Sequence, residues 1–284
     1  MNKLTVEKVL SGVTNNQSCF LSVSWGGVIA VTIAMMILTL VSVAYSMSGR
    51  EIYENVHAVR SKALDRKTEI TMVLFDKGGG KRTRTLTEFS KKVDTQAYKI
   101  LVVFNSPADL KDVGFLIHAR TFADRDIWAY FPEYKRIRRI PTNSQDDSFF
   151  GSDFSYDDFS GPPNLEDYSF KILSEEVLDG KSCYVVEVIP KVKRKYTRYI
   201  AWIAKDLWIH MKIEYYQEDE LYREGIFKDI KIIDGIPTPF KANMVNKKSN
   251  HATELTIENI KYNTNHPDGL FTQRSLEGGE VSEK

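Results

Sequence analysis

Three carboxylates, Asp153, Asp157 and Asp158, fall within FFGSDFSYDDFSGPP, the stretch from Phe149 to Pro163. Acids at such spacing could hold a cation, activate a water or pair with arginine. Their positions are not those of a calcium loop, so pairing or solvation is expected and no metal is. Cations stand just upstream in KRIRRI, with Lys135, Arg136, Arg138 and Arg139. If the chain doubles back, Asp153 or Asp157 would pair with Arg136, Arg138 or Arg139 and latch the segment, although the same arginines could instead bind an anionic headgroup. The rings of Phe149, Phe150, Phe154, Tyr156 and Phe159 cannot all face water, and the acids cannot all be buried unpaired. The segment is therefore expected to lie across the mouth of a sheet with its rings inward, as a plug or a lid. Gly151 and Gly161 allow bends at its ends, and Pro162 with Pro163 keeps it from joining the next strand.

Other chemistries find weaker support. His57, His118, His210, His251 and His266 are scattered with no HExxH pairing, which makes them surface or structural residues. GxSxG is absent, and Ser152 and Ser155 have no histidine near them in sequence, so a hydrolase survives only as a carboxylate-dependent alternative. Cys183 sits in a strand pattern, where an inert buried thiol is expected. KGGGK at 77–81 lacks the GxxxxGK[ST] spacing of a phosphate loop and reads as a turn. No catalytic residue and no cofactor is implied. Trp128, Tyr130 and Met211 read as core aromatics and aliphatics, but in a hollow fold the core lining and the ligand site are one surface, so all three are candidate cavity residues.

The elements that must position these residues follow from periodicity. In SGREIYENVHAVRSK, Ile52, Val56 and Val59 recur at helical spacing behind Ser48, a candidate N-cap. From Lys67 onward the period becomes two. Strand signals fall at 98–104, 113–119, 127–131, 135–140, 183–189, 197–203 and 207–216, then in YREGIFKDIKII, PTPFKANMVN and ATELTIENIKYN. In LWIHMKIEYY, Leu207, Ile209, Met211, Ile213 and Tyr215 are expected on one face, with His210 on the other. About a dozen strands and one early helix predict a mainly β fold, a curved antiparallel sheet forming a half-barrel with a plug or lid over its apolar side.

Composition agrees with one ordered domain. The 284 residues are 42% hydrophobic and 12% aromatic, and 39 basic against 38 acidic residues exclude the basic balance of a dedicated nucleic-acid binder. WGGVIAVTIAMMILTLVSVA, from Trp25 to Ala44, carries no charge and follows Lys3 and Lys8, which predicts export of everything after it. Ala44 and Ser46 fit a cleavage pattern, while the length of the run fits an anchor; both stay open. Cys19 and Cys183 lie on opposite sides of this run, so no disulfide joins them. The expected division is 1–46 as signal peptide or anchor and 47–284 as one domain.

WAYFPEYKRIRRI followed by DDSFFGSDFSYDDF, with CYVVEVIPK and HPDGLFTQRSLEGG further on, resembles a family of exported outer-membrane lipoprotein-sorting proteins related in fold to the LolA and LolB carriers. The resemblance covers nearly all of 47–284. It implies a LolA-like half-barrel whose apolar interior shelters the acyl chain of a lipid or lipoprotein in the periplasm; separately, a monomer without enzymatic activity is expected. It also implies cooperation with an inner-membrane exporter of the RND type. An anchored accessory subunit of such an exporter, facing the periplasm, is the alternative.

Overall fold

The computed structural model describes residues 47–94, 97–119 and 125–278. The apolar run at 25–44, with its cleavage pattern and Cys19, lies outside the described residues. Among the described residues, no helix is long and apolar enough to cross a membrane.

Helix α1 spans Gly49–Arg60 and begins with a capping box. Ser48 Oγ accepts from the Glu51 backbone N–H at 3.2 Å, and the Glu51 carboxylate accepts from the Ser48 N–H at 2.6 Å, which satisfies two of the free donors of the first turn. Its apolar stripe is Ile52, Tyr53 and Val56. Gly49 lets the helix approach the sheet: a Cβ there would stand 3.0 Å from that of Phe170.

Thirteen strands follow: β1 (Asp65–Phe75), β2 (Lys81–Lys92), β3 (Tyr98–Ser106), β4 (Gly114–Ala119), β5 (Arg125–Phe131), β6 (Arg136–Ile140), β7 (Tyr168–Leu178), β8 (Lys181–Pro190), β9 (Arg198–Ala204), β10 (Ile209–Gln217), β11 (Glu220–Ile233), β12 (Ile236–Asn246) and β13 (His251–Tyr262). They form one antiparallel sheet in the order 6-5-4-3-2-1-13-12-11-10-9-8-7, open at β6 and β7. This is a mainly β, open half-barrel. Every neighbour is also a neighbour in sequence except at β1 and β13, where Met72 faces Leu255 and the two halves join. Turn chemistry sets the connections: Asp179–Gly180 and Asp234–Gly235 both place two successive residues at positive φ, the requirement of a tight two-residue hairpin. Strand β7 alternates sheltered and exposed side chains from Tyr168 to Glu175, and as an edge strand with a bulge between Ile172 and Ser174 it leaves many of them exposed.

The sheet has two packed faces. On the inner face, Met72, Leu86, Ile100, Phe104, Phe115 and Ile117 join Ile52, Tyr53 and Val56 of α1. On the outer face, Phe89, Leu101, Leu116 and Tyr130 are covered by Phe271 and by Leu276 of α2 (Gln273–Glu277).

Candidate functional site

The aromatic and acidic segment packs on the inner face of β3 and β4. Phe149 is fully buried, with ring centroids 4.9 Å from Phe115, 5.7 Å from Phe104 and 4.5 Å from Phe159. Phe150 meets Phe104, Phe115 and Phe131, and Tyr156 meets Phe115 and Phe149. Phe150 adopts φ 52°, a left-handed conformation that costs a bulky residue energy. Its ring contacts and the hydrogen bond donated to its carbonyl by Arg84 at 2.7 Å hold it there.

The carboxylates meet arginines, but not those of KRIRRI. Asp157 pairs with Arg125 and Arg194. Arg194 also donates to Asp146 at 2.8 Å and to the Tyr168 hydroxyl at 2.9 Å. Asp158 accepts from Arg223 at 2.7 Å. Asp153 accepts from Thr253 Oγ1 at 2.7 Å and lies 2.6 Å from His251 Nδ1. Arg139 instead pairs with Asp126, Arg138 lies over the Tyr134 ring, and Arg136 is exposed on edge strand β6. The expected latch is thus corrected: Arg136 and Arg138 stand on an exposed edge, while the plug inserts deep enough to meet cations from β5, β11 and the β8–β9 loop. Burial alone would raise the Asp157 pKa, yet Arg125 and Arg194 hold it down at about 2. Burial opposes the charge of Arg223, and Asp158 overcomes that and raises its pKa.

Beside the plug the inner face is hollow. A cavity of about 320 Å³ is lined by Tyr53, Val56 and Arg60 of α1, by Phe154, Asp157 and Phe159 of the plug, and by Phe227, Phe240, Met244, Leu255 and Ile257 of β11 to β13. Tyr168, Tyr196, Tyr199 and Tyr215 form one wall. Burial pushes the hydroxyls of Tyr196, Tyr199 and Tyr215 well above their ordinary pKa, so they present neutral O–H groups. His210 Nε2 lies 3.3 Å from the Tyr53 hydroxyl, and burial, Arg60 and His57 press its pKa down to about 3.

Of the residues expected at the cavity or lid, Phe154 and Phe159 line the hollow, and Phe149, Phe150 and Tyr156 fill the space next to it. Trp128, Tyr130 and Met211 are on the outer face. Trp128 and Tyr130 pack beneath Phe271, one position out of phase with the inward Ile127 and Ala129. Met211 packs with Cys183, Ala204 and Trp202, because a bulge between His210 and Lys212 exchanges the faces within β10. Residues before the bulge follow one phase and Ile213 and Tyr215 the other. That bulge turns His210 inward, a residue the regular alternation places with the polar face. The tyrosine wall and the arginines 194 and 223 were also missed. Alternation at Tyr199 and Tyr215 hints at the former; no local signal marks the latter.

The open half-barrel is a LolA-like fold, and solved structures share it. A domain from Vibrio parahaemolyticus described as an outer membrane lipoprotein-sorting protein is 28% identical, with a TM-score of 0.77 over 81% of this chain and 98% of that one. A DUF1329 family protein from Desulfovibrio piger is also 28% identical, with a TM-score of 0.76 over 80% and 97%. A LolA superfamily protein from Nitrosomonas europaea shares the fold at 18% identity and a TM-score of 0.66, over 81% of this chain and 100% of that one. No curated protein matches the sequence. The chain belongs to the family described as "-like: Uncharacterized protein", whose model matches residues 96–278, more than half of its length.

Proposed function

We propose that this protein is a non-enzymatic carrier that shelters an acyl chain of a lipid or lipoprotein in transit between the inner and outer membranes. The observation that carries the reading is the hollow itself: aromatic and aliphatic side chains of β11 to β13 face an unfilled space on the inner side of the sheet. A packed interior leaves few voids larger than a water, so an apolar hollow of this size is a binding feature. Burial of about 0.8 kcal/mol per CH₂ suffices to hold a long chain without any reaction, and handover to a partner must then reverse it. The acids of the wall are engaged by arginines and serve the fit of the plug. The domain that carries this activity is 47–284, acting in the periplasm as the apolar run at 25–44 directs. The description of the Vibrio relative as an outer membrane lipoprotein-sorting protein supports the same reading.

Mass spectrometry of lipids co-purifying with residues 47–284 tests it. Acyl lipids in near-stoichiometric amount are expected, and a protein free of lipid that binds no added fatty acid would overturn it.

A further inference from the structure

The cavity continues at its rim into a smaller hollow of about 60 Å³, and Arg60, Glu88, Asp158, Phe159 and Gly161 line both. Arg66 and Lys92 complete the rim, together with the hydroxyl residues Ser90 and Tyr98. Its charges do not balance. Glu88 accepts from Arg66 Nε at 3.1 Å and Nη2 at 2.5 Å, and Asp158 is taken by Arg223. Arg60 and Lys92 make no side-chain hydrogen bond or ion pair among the described residues. The rim therefore holds two cations without an ion-pair partner at the opening of a cavity whose β11 to β13 wall is apolar.

An ammonium or guanidinium that only needed solvation would be served by any surface site. Arg60 is different, since it ends α1, whose buried Tyr53 and Val56 form part of the cavity wall, and, itself exposed, it shares the rim with a further guanidinium, Arg66. Desolvation by the surrounding rim, then Arg66, lowers its pKa from the usual guanidinium value. An anion there would gain charge-assisted hydrogen bonds from a planar donor suited to carboxylate or phosphate.

We propose that this rim seats the anionic headgroup, a carboxylate or phosphate, of an amphiphile whose chain occupies the cavity. The assignment rests on the carrier reading and narrows its cargo to amphiphiles with a negative charge close to the acyl chain. Neutral lipids would enter the same hollow more weakly, because nothing would meet Arg60 and Lys92.

The test is equilibrium binding of palmitate and of methyl palmitate, identical chains with and without the charge, to the full chain and to its Arg60→Ala and Arg60→Lys variants. Inorganic phosphate is titrated in parallel. The acid is expected to bind about tenfold or more tightly than the ester. Arg60→Ala should weaken binding of the acid much more than binding of the ester and so remove most of that preference, and Arg60→Lys should retain part of it. Equal affinity for acid and ester, or an equal loss for both in Arg60→Ala, overturns the headgroup assignment alone. Failure of both chains to bind overturns it together with the carrier reading. Phosphate binding as tightly as palmitate would make the rim a site for a free anion and overturn the lipid assignment.

Discussion

The two halves of the inner face are built from the same kind of strand and end differently. Over β3 and β4, the rings of Phe104 and Phe115 meet Phe149, Phe150 and Tyr156 and the space is solid. Over β11 to β13, Phe227, Phe240 and Ile257 are of the same chemical type and meet a hollow. Apolar composition therefore does not decide which half is packed; the reach of residues 149–159 does. That segment stops where Gly161, at φ 84°, turns the chain against Tyr98 and Ile100 and Pro162 and Pro163 follow. Two acids of the plug are ion-paired, Asp157 with Arg125 and Arg194 and Asp158 with Arg223, whereas Arg60 at the hollow has no ion-pair partner among the described residues.

The largest expected effect on stability lies in the plug. Phe149→Ala removes a fully buried ring and should cost about 3 to 5 kcal/mol in urea unfolding. Asp157→Ala comes next: it leaves the buried Arg125 and Arg194 without their shared counter-charge, and a loss of about 3 kcal/mol is expected. A loss below about 1 kcal/mol would mean that Asp146 or water takes its place, and the plug would be less firmly tied than the comparison requires.

Acid should separate the halves. His57 and His210 are pressed to about 4 and about 3 by burial and neighbouring cations, so the fold favours their neutral forms. The unfolded chain takes up these protons first, and stability should fall as pH drops below about 6.5, by at most about 1.4 kcal/mol per pH unit for each histidine. The Asp157 pairing is fully present above the ordinary carboxylate value and is lost only as pH falls from about 4 towards 2. Urea unfolding at pH 7, 5.5 and 4.5 checks this, and His210→Gln should flatten the slope; an unchanged slope would remove the histidine from the account.

Two smaller effects sharpen the distinction between a plug and a lid. Asp153→Ala removes the carboxylate that meets Thr253 and His251 and should cost about 1 to 2 kcal/mol. In a plug the exchange rate of a bound fluorescent fatty acid stays unchanged, while faster exchange would show that the segment opens. Phe227→Ala, in the wall of the hollow, should cost less than about 1 kcal/mol because no close-packed neighbour is lost on the cavity side, yet it should weaken binding of the chain. A cost equal to that of Phe149→Ala would abolish the contrast between the halves.

Periodicity and turn residues were enough to read the class of fold. Local sterics and burial act within a few residues, so Ser48 as a cap, the Asp-Gly turns, the alternation of β1 and the continuous apolar runs of β3 and β4 are visible in the chain itself. The same local logic shows that 149–159 must bury rings and pair acids. It cannot say with whom. Asp157 meets Arg194, thirty-seven residues away, and Asp158 meets Arg223, sixty-five away, because sheet order brings those positions to one place while KRIRRI stays on edge strand β6. Alternation likewise divides a strand into two faces without naming the inner one, and a single bulge, as at His210 and Lys212, exchanges them partway along. The opposite fates of Met211 and His210 were therefore decided by the tertiary structure alone, as was the place where the plug ends and the cavity begins.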